Sequence, residues 1–150
     1  MTEPNMMRRI FARLTWLALL AIALPPASAQ APDDALFRGL GGKAGIHRIV
    51  DGLIPLLLAD KRISETFTDI DMKKLSLRLE EQFCVVSGGP CAYKGKDMAE
   101  VHDGMNVTNA QFNALVEDLQ VAMEQAKVAS RVQNRLLARL APMQRAIVTK

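Results

Sequence analysis

Apolar residues in the middle of the chain recur at Ile46, Ile49, Val50, Leu53, Ile54, Leu57 and Leu58, the i, i+3, i+4, i+7, i+8 spacing of a helix with a wide buried face. Gly52 and Pro55 weaken it locally. The proline removes the hydrogen bond to the carbonyl of Asp51, so a kink is expected there. A second apolar face runs through Leu75, Leu79, Phe83 and Val86, behind an N-cap at Asp71 and ahead of a stop at Gly88-Gly89-Pro90. Two longer helices close the chain, each expected to open with a capping box, Thr108 with Gln111 and Ser130 with Gln133. Phe112, Leu115, Val116, Leu119 and Met123 mark the buried face of the first. Val132, Leu136, Leu137, Leu140, Met143 and Ile147 mark that of the second, with a bend at Pro142.

Shorter elements fill the gaps. Asp33 and Asp34 can cap a helix over Ala35 to Leu40 that Gly41-Gly42 stops, and Asp97 can cap a helix of about two turns holding Met98, Val101 and His102. The connection DKRISETFTDID has Phe67 as its only aromatic residue, and PCAYKGKD reads as a loop. No segment alternates with the period of a strand, and there are no internal repeats. The fold class is all-α.

Residues 1–29 stand apart from this pattern. Arg8, Arg9 and Arg13 form a basic region, Trp16 to Leu24 an apolar run, and Ala27-Ser28-Ala29 a small-residue cleavage site, which together read as a cleaved export signal. The run is about half the roughly 20 residues that span a bilayer, so a retained anchor is the weaker alternative. The segment MRRIFAR resembles the twin-arginine export consensus without its leading serine, and the general secretory route is the alternative. Residues 30–150 then form one domain, periplasmic or secreted, with no membrane partner after cleavage.

Charge and cysteines alter the picture only after that subtraction. The net charge of +3 falls to +1 without Arg8, Arg9, Arg13 and Glu3, so nothing calls for a nucleic-acid partner. Cys84 and Cys91 both lie in the exported part, where an oxidising compartment permits a disulfide worth about 2.5 kcal/mol in chain entropy; two unpaired thiols are the alternative. Their spacing is not the C-x-x-C of a redox site or zinc knuckle, and no C-x-x-C-H offers covalent haem attachment.

His102 is one of two histidines, and it sits in a short helix that buries little. Imidazole is a natural axial donor to haem iron, with its other ring nitrogen bonded to a backbone carbonyl one turn back, here that of Met98. A surface or helix-capping histidine is the plainer alternative. His47 has no assignable role and is expected on the exposed side of the first long helix.

Several stretches together carry a resemblance: LFRGLGG at Leu36 to Gly42, LLAD at Leu57 to Asp60, Phe67, SGGPCAYKG at Ser87 to Gly95, and DMAEVHDGMNVT with His102 seven residues after Gly95. Over about residues 36–148 the chain resembles the group 1 truncated globins. The resemblance implies a two-over-two helical sandwich around a b-type haem, with His102 as the proximal iron ligand and Phe67 stacked on the porphyrin. It places Ile54, Leu75, Leu79, Gln82 and Phe83 on the distal side. Many members carry tyrosine where Ile54 stands and glutamine where Leu75 and Leu79 stand, so Gln82 is the one polar distal candidate, unless it faces solvent. Arg78 would lie near a haem propionate or stand as a solvated charge, and Tyr93 would meet the haem edge or brace its loop. The two glycine motifs would let the shortened chain wrap the cofactor through positive φ.

The implied function is reversible binding of a diatomic gas, O2, NO or CO. A haem-dependent redox enzyme, such as a nitric oxide dioxygenase or a peroxidase-like activity served by an unidentified reductase, is the alternative. A haem-free helical interaction module is a further one.

Overall fold

The computed structural model describes residues 34–150, so the expected export signal lies outside the described residues. Seven α-helices follow in order: α1 Ala35–Gly39, α2 Gly42–Ala59, α3 Met72–Val86, α4 Met98–His102, α5 Asn109–Gln125, α6 Ser130–Leu140 and α7 Gln144–Ile147. Short 3-10 turns at Ser64–Phe67 and Ala141–Met143 link α2 to α3 and α6 to α7. No strand occurs among the described residues, and no helix among them is long and apolar enough to cross a membrane.

The architecture is a sandwich of two helix pairs. α2 packs on both α3 and α5, and α6 packs on both α3 and α5, so each helix of one pair rests against the other pair. The predicted stripe of α2 supplies much of the core: Ile46, Ile49, Val50, Leu53 and Leu57 are buried, together with Leu119, Met123 and Leu136 from the facing helices. Leu58 is 48% exposed, because one further residue turns the side chain about 100° past Leu57 and off the stripe. α2 continues through Pro55 to Ala59.

Local chemistry explains where the elements begin. Asp71 accepts from the Lys74 N–H at 3.1 Å, and Asp97 from the Glu100 N–H at 2.8 Å. The Thr108–Gln111 capping box forms in both directions. The second expected box does not. Ala129 occupies the N-cap of α6, which makes Ser130 the first helical residue, and the Gln133 amide donates instead to the Val128 carbonyl at 2.8 Å. Asp34 likewise forms no side-chain cap, because its carboxylate pairs with Arg38. Gly41 and Gly42, at φ 87° and 64°, make the turn between α1 and α2 that a side chain would strain.

Cys84 and Cys91 are bonded, with their Cα atoms 5.9 Å apart, which ties the last turn of α3 to the loop after it. His47 is exposed on α2, as expected. Its ring touches Glu80 of α3 at 2.8 Å and Asp51 at 3.2 Å, and the bond to Glu80 and the charge of Asp51 raise its pKa above the ordinary value.

Candidate cofactor site

Two segments that contribute little to the core build the site. α4 has no fully buried residue and is held at its start by Asp97. The loop before it, residues 88–97, is anchored at one end by the disulfide and at the other by Glu81, whose carboxylate accepts the Lys94 N–H at 3.0 Å. That bond, with Arg78 at 2.6 Å, holds the Glu81 pKa below its ordinary value. Tyr93 then lies back over Gly95, where a Cβ would run into its ring. Burial pushes the Tyr93 hydroxyl pKa up.

A cavity of about 670 Å³ opens between α3 and α4. Leu75, Arg78, Leu79 and Gln82 of α3 line one side, with Phe67, Leu57 and Ile63. Met98, Val101 and His102 of α4 line the other, with Met105 and Val107. Phe112, Leu115 and Ile147 add further apolar lining, and Lys74, Lys94, Lys96 and Tyr93 also contribute. A volume in the range of about 300 to 1,000 Å³ with a mostly apolar wall is the size of a cofactor site.

His102 is oriented by its neighbour one turn back. Its Nδ1 lies 2.8 Å from the Met98 carbonyl, and because a carbonyl only accepts, Nδ1 carries the proton, which in the neutral ring leaves the lone pair on Nε2. His102 belongs to no group of three close metal-donor side chains among the described residues. A free zinc-type ion takes three or four protein donors, so this single imidazole would suit a metal that arrives already held by a cofactor.

Not every residue predicted for the site reaches the cavity wall. Phe83 is 2% exposed in the core: it lies about 100° around α3 from Gln82, so when Gln82 faces the cavity Phe83 faces the helix packing. Ile54 is half-buried against the core cluster, and Leu57, one turn on, lines the wall in its stead. Gln82 is at the wall, but its amide donates to the sulfurs of Met98 at 3.3 Å and Met143 at 3.4 Å. Arg78 is at the wall too, paired with Glu81.

Residues 35–149 match the model of the bacterial-like globin family. The chain belongs to that family. It is 35% identical to a group 1 truncated hemoglobin of Tetrahymena thermophila over 67% of this chain and 83% of that one, and 29% identical to another from Mycolicibacterium paratuberculosis over 80% and 88%. The solved truncated hemoglobin of Tetrahymena pyriformis superposes with a TM-score of 0.74 at 29% identity, covering 77% of this chain and 98% of that one.

The globin family implies a haem cofactor, and the residues lining the cavity would fit that group: one oriented imidazole, an apolar slot, and cations for the carboxylates of its edge. Two wall residues of this globin, Met105 and Val107, had no signal in the pattern, and Ile147 had one only as part of a buried helix face. Met105 and Val107 follow α4 in a loop, and Ile147 returns to it because Pro142 breaks the last helix, after which the Thr149 N–H bonds the Val107 carbonyl at 3.0 Å. Phe112 and Leu115 were legible as apolar, but their stripe divides between core and cavity.

Proposed function

We propose that this globin holds a b-type haem through Nε2 of His102 and binds a diatomic gas reversibly on the side lined by Leu75, Leu79 and Gln82. The observation that carries the reading is the tie between His102 Nδ1 and the Met98 carbonyl beside a cofactor-sized apolar cavity. Bound haem would supply a ferrous iron with one coordination position open to a small ligand. The chain's own part is to fix the imidazole tautomer, to exclude water with Phe67, Leu79 and Phe112, and to set the polarity facing that position.

That polarity is low. The tyrosine and the two glutamines altered in solved variants of the Tetrahymena pyriformis protein are separated by the same two intervals as Ile54, Leu75 and Leu79 here. Neither leucine can donate a hydrogen bond. Gln82 can turn toward the cavity only by leaving two sulfurs, which are weak acceptors. This favours a reversible gas carrier or sensor over a dioxygenase, which has to hold its oxygen.

His102→Ala tests the assignment. The variant is expected to lose haem retention, read as the Soret absorbance left after transfer to apomyoglobin, and to regain a spectrum with exogenous imidazole. Haem affinity and ferrous spectra equal to the parent would remove His102 as ligand.

We also propose that the protein is exported, with residues 1–29 removed, and the Cys84–Cys91 disulfide supports an oxidising destination. Replacing Arg8 and Arg9 with lysine blocks processing if the twin-arginine route is used. Normal processing of that variant would assign the general secretory route.

A further inference from the structure

One cluster lies outside the cavity and plays no part in the haem reading. His47 and Asp51 stand one turn apart on α2, exposed, and Glu80 reaches them from α3. One donor atom from each lies within 4.8 Å of the others, with the ring nitrogens of His47 at 2.8 Å from Glu80 and 3.2 Å from Asp51. We propose that His47, Asp51 and Glu80 form a surface site for a divalent transition-metal ion of the zinc type.

The donor chemistry fits. One imidazole and two carboxylates are borderline-to-hard ligands, and the two negative charges neutralise a divalent ion. Metal–ligand bonds of roughly 2.0 to 2.2 Å bring donors to within about 3.5 Å of each other, and because Glu80 meets Nδ1 while Asp51 meets Nε2, rotations of the ring and of one carboxylate are needed to bring both onto one nitrogen. His47 and Asp51 can make them because they are exposed. Glu80 is the fixed member, with its side chain 29% exposed on a helix whose next turn is bonded through Cys84. An i, i+4 pair on one helix projects both donors to the same side, leaving the third position to the neighbouring helix and a fourth to water. Both cysteines are in the disulfide, so no thiolate competes for the ion. Lys43 lies in the adjoining cleft with Glu80 and Glu81, and its charge opposes the ion in part. A bound ion would join α2 to α3, the helices that carry Leu57 on one side of the cavity and Leu75 and Leu79 beside it.

The competing account is an ordinary ion-pair staple, and zinc titration separates the two. Tag-free, haem-loaded protein is titrated with Zn²⁺ against a chromogenic chelator at pH 8, while the Soret band and the melting temperature are followed. The expected result is one equivalent bound, a rise in melting temperature, and an unchanged Soret band. His47→Gln and Glu80→Gln, each checked for native helicity, should weaken binding by about tenfold or more. Absence of binding at micromolar zinc, parental affinity in both variants, or a Soret shift showing the ion at His102 would each overturn the site.

Discussion

The carboxylate of Glu81 accepts the backbone N–H of Lys94 at 3.0 Å, and so fastens the loop that carries Tyr93 to the helix that faces the cavity. The same oxygen pairs with Arg78 at 2.6 Å. Both partners favour the ionised form and hold its pKa below the ordinary carboxylate value. A depressed acid contributes stability that is fully present above its unfolded pKa and is lost as pH falls through the folded one. Haem release should therefore accelerate on the acid side of the ordinary glutamate range. Glu81→Gln should release haem faster at neutral pH and show a flatter acid limb. Stopped-flow haem transfer across pH 3 to 7 checks this, and parallel profiles for the two proteins would contradict it.

On the proposed reading, Leu75 and Leu79 at the cavity wall offer the gas no donor. Oxygen takes on negative charge when held by ferrous haem and carbon monoxide does not, so a donor in an apolar pocket discriminates between them. Fast oxygen release, rapid autoxidation and a preference for carbon monoxide are expected of the unmodified protein. Leu79→Gln should slow oxygen release by about one to two orders of magnitude, for a charge-assisted bond worth roughly 1.5 to 3 kcal/mol, with little effect on carbon monoxide. Slow oxygen release in the parent, abolished by Gln82→Leu, would show that Gln82 leaves its sulfurs to serve as the donor.

Removing the disulfide by Cys84→Ser with Cys91→Ser should cost about 2.5 kcal/mol, because it closes a loop of eight residues in the unfolded chain. Urea midpoints at matched haem loading measure the change. A cost near zero would mean that residual structure already holds that loop closed in the unfolded chain.

The two expected capping boxes make a paired test. Thr108→Ala removes a side chain that caps α5 and should cost about 1 kcal/mol, whereas Ser130→Ala lies inside the first turn of α6 and should cost close to nothing. Equal costs in thermal melts would contradict the observed cap at Ala129.

These pairs also show what the amino-acid pattern carries and what it does not. Helix stripes such as Ile46 to Leu57 were legible because one side of each faces the core throughout, and His102 with Met98 because four residues of helix dictate their meeting. Ser130 misled because the turn at Lys127, with φ 59°, sets where α6 begins, and nothing in the sequence of the box records that turn. Ile54 and Phe83 fall off the cavity wall for a related reason. Spacing along a helix tells which residues share a side, but the rotation of that side toward core or cavity is decided by the neighbouring helices. Met105 and Val107 belong to the wall through a loop that leaves no periodic trace, while Ile147 was legible as apolar but not as a cavity residue.

The helix that presents His102 is five residues long and has no fully buried side chain, whereas α2 and α5 hold much of the core. Local opening free energies follow buried contacts, so amide hydrogens of α4 should exchange through fraying while those of α2 and α5 wait for global unfolding. On the proposed reading, the part that grips the cofactor is the part that opens most readily, while the scaffold behind it stays closed. Resistance to denaturation and grip on the cofactor are then separate traits, free to be tuned by different residues.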